Sequence, residues 1–256
     1  MKELLGLEQY IDLVIPRGGN DLVRYVKSET KIPVLGHADG ICSIFLEKSA
    51  DAELAAKVTV DSKTTYPAAC NSVETLLVEA EGAEHLLPPV AKALVAKGVS
   101  LRCDAQSKAV IDAALGAGND LVQASKSDDY DTEHLALILA VKTVSSFDEA
   151  VEHINVHGSH HTDVILTSSE PLAERFMSAV DSAGVFWNTS SRMADGTRFG
   201  FGTEVGVSTN KIHARGPVGL EGLMIYKYKL RGQGHLTATY GEGEDQKPWK
   251  HERLPL

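Results

Sequence analysis

Asp61-Ser62-Lys63-Thr64-Thr65-Tyr66-Pro67-Ala68-Ala69-Cys70-Asn71-Ser72-Val73-Glu74-Thr75-Leu76-Leu77-Val78 carries the end of a helix, a proline-broken turn and an apolar strand in one run. A helical stretch over 51–61 feeds the turn and a strand over 75–78 leaves it, so the segment reads as the middle of an α/β unit. Pro67 cannot continue a helix, because it lacks an N–H and its ring meets the preceding turn. Cys70 therefore stands among small residues at the mouth of a strand, where a ligand can reach it. An accessible thiol of lowered pKa is a nucleophile, although free cysteine is more often a buried packing group.

The alternation continues in both directions. Residues 10–15 read as a buried strand, Pro16-Arg17-Gly18-Gly19 as a turn, and 20–27 as a helix capped by Asn20. Further strands are expected at 32–35, 41–46, 99–103, 135–144, 163–167 and 185–188. Helices are expected at 50–60, 83–96, 107–115, 147–157 and 171–183. Strands separated by helices imply βαβ units and a largely parallel sheet, an α/β fold. Residues 190–217 form a long loop rich in glycine and arginine, and such loops usually carry function. Strands at 223–230 and 236–240 would form a C-terminal arm, with a polar tail over 241–256.

With 256 residues, 43% of them hydrophobic and 23% charged, the chain can bury a core without disulfides or metals. A formal charge of −10 counts against nucleic acid or an anionic membrane as partner, since both need a basic footprint. Three cysteines with no C-x-x-C spacing fit a reducing compartment. No apolar run reaches membrane-spanning length and Met1-Lys2-Glu3 does not begin a secretory signal, so a cytoplasmic protein is expected.

Several patterns compete for chemistry. Gly18-Gly19, before a helix, would let backbone N–H groups approach a phosphate, but a full G-x-G-x-x-G is absent. His157-Gly158-Ser159-His160-His161-Thr162-Asp163 has metal-ligand residue types, yet Gly158 breaks the helix that would set their geometry; it reads as a helix end followed by a strand, and no metal is expected. Cys70 with one of ten histidines could form a hydrolase pair, although no helix follows the cysteine. Arg192, Arg198, Lys211 and Arg215 could grip a carboxylate or phosphate, or simply be solvated. Asn71 and Asn188 join Arg192, Arg198 and Arg215 as candidate substrate contacts.

Taken together, ordered motifs resemble a known family. They are Tyr66-Pro67-Ala68-Ala69-Cys70-Asn71 with Glu74-Thr75-Leu76-Leu77, then His157 to Asp163, then Phe199-Gly200-Phe201-Gly202-Thr203-Glu204-Val205-Gly206, and finally His213-Ala214-Arg215-Gly216-Pro217. This set is similar to the γ-glutamyl phosphate reductases (glutamate-5-semialdehyde dehydrogenases) of the aldehyde dehydrogenase superfamily, over nearly the whole chain to about Tyr240. The resemblance implies an NADPH-dependent reduction of L-glutamyl 5-phosphate to glutamate 5-semialdehyde in proline synthesis. Cys70 falls on the family's catalytic cysteine, whose thioester would be reduced by hydride. Glu133 resembles the glutamate that meets the nicotinamide ribose, and Gly18 and Gly19 lie beside the nicotinamide end.

The stretch Pro33-Val34-Leu35-Gly36-His37 matches the place where hydrolytic relatives carry a water-activating glutamate. It has no acid, which suits a thioester that must wait for hydride. The resemblance further implies a remnant of a Rossmann-like nucleotide-binding domain over 1–65, a catalytic domain over 66–217 and an oligomerisation arm over 218–256. Homo-oligomers are expected through that arm. The family's large N-terminal part would precede Leu7, so weak NADPH binding by this chain alone is expected. A catalytically silent interaction protein is the alternative from another class, with the Cys–His hydrolase third.

Overall fold

The computed structural model describes residues 1–37, 39–209, 211 and 215–252. His213 and Ala214 of the last motif and the end of the expected tail lie outside them. The chain divides into two compact units, 1–223 and 224–256.

The first unit opens with a short helix, α1 (Lys2–Leu5), and then α2 (Asn20–Glu29). It continues with β1 (Cys42–Leu46), α3 (Ala52–Thr64), β2 (Val73–Glu79), α4 (Ala83–Val95), β3 (Ser100–Cys103), α5 (Ala105–Leu115) and β4 (Val122–Ala124). After these come β5 (Ile138–Val144), α6 (Phe147–His157), β6 (Thr162–Leu166), α7 (Glu170–Ala179) and β7 (Gly184–Trp187). A small antiparallel pair, β8 (Gly206–Ser208) and β9 (Gly216–Val218), closes the unit. The first seven strands form one parallel sheet in the order β4-β3-β5-β2-β1-β6-β7.

Alternation along the strands sends side chains to opposite faces, and each face collects its own helices. Ile44, Leu46, Leu76, Val78, Leu139 and Val141 pack with Ala55, Val58, Leu86, Leu94 and Ile111 from α3, α4 and α5. Phe45, Leu77 and Ile165 turn the other way, onto Phe147, Ile154 and Phe176 from α6 and α7. A doubly covered parallel sheet explains why the strands read as unbroken apolar runs. α4 runs through Pro88 and Pro89, which give up two backbone donors. Leu86, Leu87, Val90, Ala91 and Leu94 of that helix are buried, so tertiary packing holds what propensity alone would break.

The helix ends follow local chemistry. Asp51 accepts from Leu54 N–H at 2.7 Å and Ser146 from Glu149 N–H at 3.2 Å. α2 departs from expectation, because Gly19 is its N-cap and no side chain caps it. Asn20 is instead its first helical residue.

Residues 10–15 are not a strand. Val14 and Val34 make one isolated bridge, Tyr10 is 76% exposed, and neither segment joins the main sheet. The strand expected over 135–144 begins only at Ile138, Leu135 having a positive φ of 54°. β4 was not expected at all. The strand at 42–46, expected within the 1–65 segment, lies inside the main sheet with β2 on one side and β6 on the other.

In the second unit, Tyr226, Tyr228 and Leu230 are almost fully exposed and no strand forms over 223–230 or 236–240 among the described residues. An alternating pattern needs a partner edge, and among the described residues these segments form a single isolated bridge, Tyr240 with Lys247. Tyr240 stacks on Trp249, with ring centroids 4.7 Å apart. No helix among the described residues is long and apolar enough to cross a membrane.

One core histidine makes the fold sensitive to acid. His153 on α6 is buried beside Tyr130, His157 and Lys142, and burial first, then its interactions with His157 and Lys142, lower its pKa to about 4. The unfolded chain thus binds a proton that the fold refuses between about pH 6.5 and pH 4, so stability falls as pH drops through that window. The urea midpoint of His153→Gln, measured against the parent chain, is expected to gain on it between pH 7.5 and pH 5. Parallel curves would show that another group governs the acid limb.

Candidate active site

In open parallel α/β sheets ligands usually meet the carboxyl ends of the strands. Here the chemistry-bearing residues gather at the opposite edge. Gly40 precedes β1, Cys70 precedes β2, Glu133 lies upstream of β5, and His161 adjoins the start of β6. A cleft of about 490 Å³ opens there, lined among others by Gly18, Gly19, Asn20, His37, Cys70, Asn71, Glu133, Arg192 and Glu204.

The Cys70 turn is held from both sides. Ala69 N–H donates to Tyr66 O at 3.1 Å and Ser72 N–H to Ala69 O at 2.8 Å, closing the chain around Pro67. Asn71 Nδ2 donates to Ala194 O at 2.8 Å, Ser191 Oγ to Asn71 O at 2.6 Å, and Arg192 Nη1 to Asn71 Oδ1. Beneath the turn, Lys63 of α3 and Glu74 of β2 form a fully buried pair at 2.7 Å. That pair joins the elements on either side of the cysteine. Gly40 is required for the close packing: a Cβ there would stand 2.3 Å from Cys70 O and 2.7 Å from Glu133 Oε1. Cys42 Sγ donates to Cys70 O at 3.3 Å.

Cys42 and Cys103 are buried, which leaves Cys70 as the accessible thiol. Its pKa is not lowered as the sequence reading requires of a nucleophile. Burial first, then the charges of Glu133 and Glu204, push it up to about 11, with Arg192 pulling in the other direction. The resting group is thus a neutral thiol that needs a proton acceptor. His37 is near enough to be considered for that role, one of its ring nitrogens lying within 4.8 Å of Cys70 Sγ; its Nδ1 lies 3.0 Å from Val207 O, so the protonated Nδ1 donates and Nε2 keeps a lone pair. Burial lowers the His37 pKa, so the ring is neutral near pH 7. The edge without an acid at 33–37 therefore still presents a base, and Glu133 and Glu204 bring carboxylates to the cleft from elsewhere.

Of the residues singled out in the sequence, Gly18, Gly19, Cys70, Asn71, Glu133 and Arg192 converge on the cleft. Asn188 does not. It follows β7, at the far edge, and its amide is spent on Thr167 N–H and Thr167 O at 3.1 and 2.9 Å. Arg215 binds Asp181 at 3.0 Å and is absent from the cleft lining, and exposed Arg198 reaches Arg192 O. His37, His161, Asn20 and Glu204 were not named as site residues, although His37, His161 and Glu204 stand inside quoted motifs and Asn20 was read as a helix cap. Asn20 Nδ2 donates to Asp39 Oδ1 at 2.5 Å and to Glu133 Oε2 at 3.5 Å.

Comparison with known proteins bears on the fold and the family. No family model matches the chain. It is 54% identical, over all 256 residues, to a probable gamma-glutamyl phosphate reductase of Schizosaccharomyces pombe, and covers 56% of that relative. The crystal structure of the gamma-glutamyl phosphate reductase from Thermotoga maritima superposes with a TM-score of 0.86 at 40% identity, covering 92% of this chain and 55% of that one. A propionaldehyde dehydrogenase from Clostridium phytofermentans, at 17% identity and a TM-score of 0.58, shares the fold. The chain spans about half the length of the curated relatives it matches.

Proposed function

From a chain homologous over its whole length to part of the γ-glutamyl phosphate reductases, we propose an NADPH-dependent reduction of L-glutamyl 5-phosphate to L-glutamate 5-semialdehyde, with Cys70 as acyl acceptor. The observation that carries this is the position of Cys70, the least buried thiol of the three, in a cleft shared with a glycine-rich helix start and Glu133.

The cleft fits a nicotinamide nucleotide in kind. The first turn of α2 is uncapped by any side chain, Gly19 has open space where a Cβ would point, and Glu133 offers a carboxylate to ribose hydroxyls. Bound there, the nicotinamide supplies hydride. This chain's residues do the rest. His37 Nε2 takes the thiol proton, Sγ attacks the acyl carbon, and the C–O bond to phosphate breaks, leaving a thioester on Cys70. The Cys70 backbone N–H donates to the developing oxyanion, and Arg192 is the cation at hand for the leaving phosphate. Reduction of that thioester would leave a thiohemiacetal on Cys70, whose collapse releases the aldehyde while His37 returns its proton to the sulfur.

The reverse reaction tests this. With glutamate 5-semialdehyde and NADP⁺, the chain is expected to form NADPH only when phosphate or arsenate is present to cleave the thioester. Turnover that ignores phosphate would assign water as the acceptor and overturn the reductase reading, and no turnover in either buffer would overturn a catalytic role for this chain.

A further inference from the structure

We infer that His37, Cys70 and His161 form a three-ligand site for a soft divalent cation such as Zn²⁺, seated on the nucleophile and acting as a reversible block on it. One ring nitrogen of each histidine and Sγ of Cys70 all lie within 4.8 Å of one another. Thiolate and imidazole are the ligands that zinc prefers, with Zn–S near 2.3 Å and Zn–N near 2.0–2.1 Å. Tetrahedral closure therefore asks the donor atoms to approach by about 1 Å. Cys70 and His37 are only partly buried and line an open cleft, so both have room to turn.

His161 supplies the independent observation. It is 1% exposed, its Nδ1 engages Thr162 Oγ1 at 2.9 Å, and its Nε2 has no hydrogen-bond partner among the described residues. A buried ring nitrogen left unpartnered is costly and calls for a role. The two rings are also held as metal-binding histidines usually are, with the second nitrogen engaged by an oxygen: Val207 O for His37 and Thr162 Oγ1 for His161. They meet edge to face, with centroids 4.7 Å apart. Glu133 and Glu204 add negative charge near the sulfur, opposed by Arg192. Three protein ligands leave a fourth position for water. As the Sγ–Zn bond replaces the Sγ–H bond, the proton leaves to solvent and no electron changes hands. Of the 157–161 histidine run, only His161 takes part.

The test follows the thiol and stands whether or not the chain reduces an acyl phosphate. Reduced, chelator-treated protein is alkylated with iodoacetamide in increasing Zn²⁺, and modification of Cys70 is read by mass spectrometry. One equivalent of Zn²⁺ is expected to suppress Cys70 alkylation, and EDTA to restore it. Co²⁺ is expected to give a thiolate charge-transfer band that Cys70→Ser abolishes. His37→Gln and His161→Gln should each weaken the protection by at least about tenfold. His37 lies at the cleft wall, so its variant decides the matter if the buried His161 variant does not fold. Protection of equal strength in a folded histidine variant, or alkylation indifferent to Zn²⁺, overturns the site.

Discussion

Cys70→Ser is expected to lower phosphate-dependent NADP⁺ reduction by about 10³-fold or more, a loss typical of removing a covalent nucleophile. The cleft already raises the thiol to about 11, so it is a poor place to ionise even sulfur. A serine hydroxyl, far less acidic, would stay protonated beside Glu133 and Glu204 and could not form the acyl intermediate. The substitution exchanges one atom at a partly buried site, so the urea midpoint should barely move. Measuring kcat and the midpoint together separates chemistry from folding. A folded serine variant that keeps parental kcat would remove the thioester from the mechanism.

The second large effect lies beneath that turn. Lys63→Met is expected to destabilise the fold by about 3–5 kcal/mol at pH 8, because it strands the Glu74 carboxylate in the core. Both members of the pair are 0–1% exposed, and burial outweighs their mutual attraction. The Lys63 pKa is lowered, and that of Glu74 is raised to about 7. Since the Glu74 carboxyl in the fold holds its proton above the unfolded value, the Lys63→Met deficit should be largest above pH 7 and shrink as pH falls towards 5. Adding Glu74→Leu should recover much of the loss, since a buried ion pair is often replaceable by apolar groups. Urea midpoints of the single and double variants at pH 5 and pH 8 check the sign. A single-variant deficit that does not change with pH would mean the carboxylate finds another partner.

Much of this fold was legible because local signals agreed with burial. α6 keeps its expected bounds, since Ser146 caps it, Phe147, Ala150 and Ile154 mark one face, and Gly158 ends it. The misreadings share a cause. Residues 10–15 and 223–230 look like strands by composition, but a strand exists only where another offers its backbone, and pairing is not written in a single segment.

The site divided in a similar way. Cys70, Asn71, Gly18 and Gly19 are local turn features, and the structure brings them to one cleft. Arg198 and Arg215 were chosen for loop position and charge, yet neither property tells which edge of the sheet a loop occupies. His161 reaches Cys70 because β1 packs between β2 and β6, a neighbour relation that only the topology supplies. The raised thiol pKa was likewise illegible, since it comes from desolvation and from Glu133 and Glu204, both distant from Cys70 in sequence.

The reversed placement of the cleft, at the strands' N-terminal ends, also frees the opposite rim for the experimenter. The turn after β2, where Glu81 is 70% exposed in its contact with Lys48, lies a full strand's length from the thiol. A fluorophore or surface tether attached there would report on the molecule, or hold it on a support, with its reactive face pointing into solution.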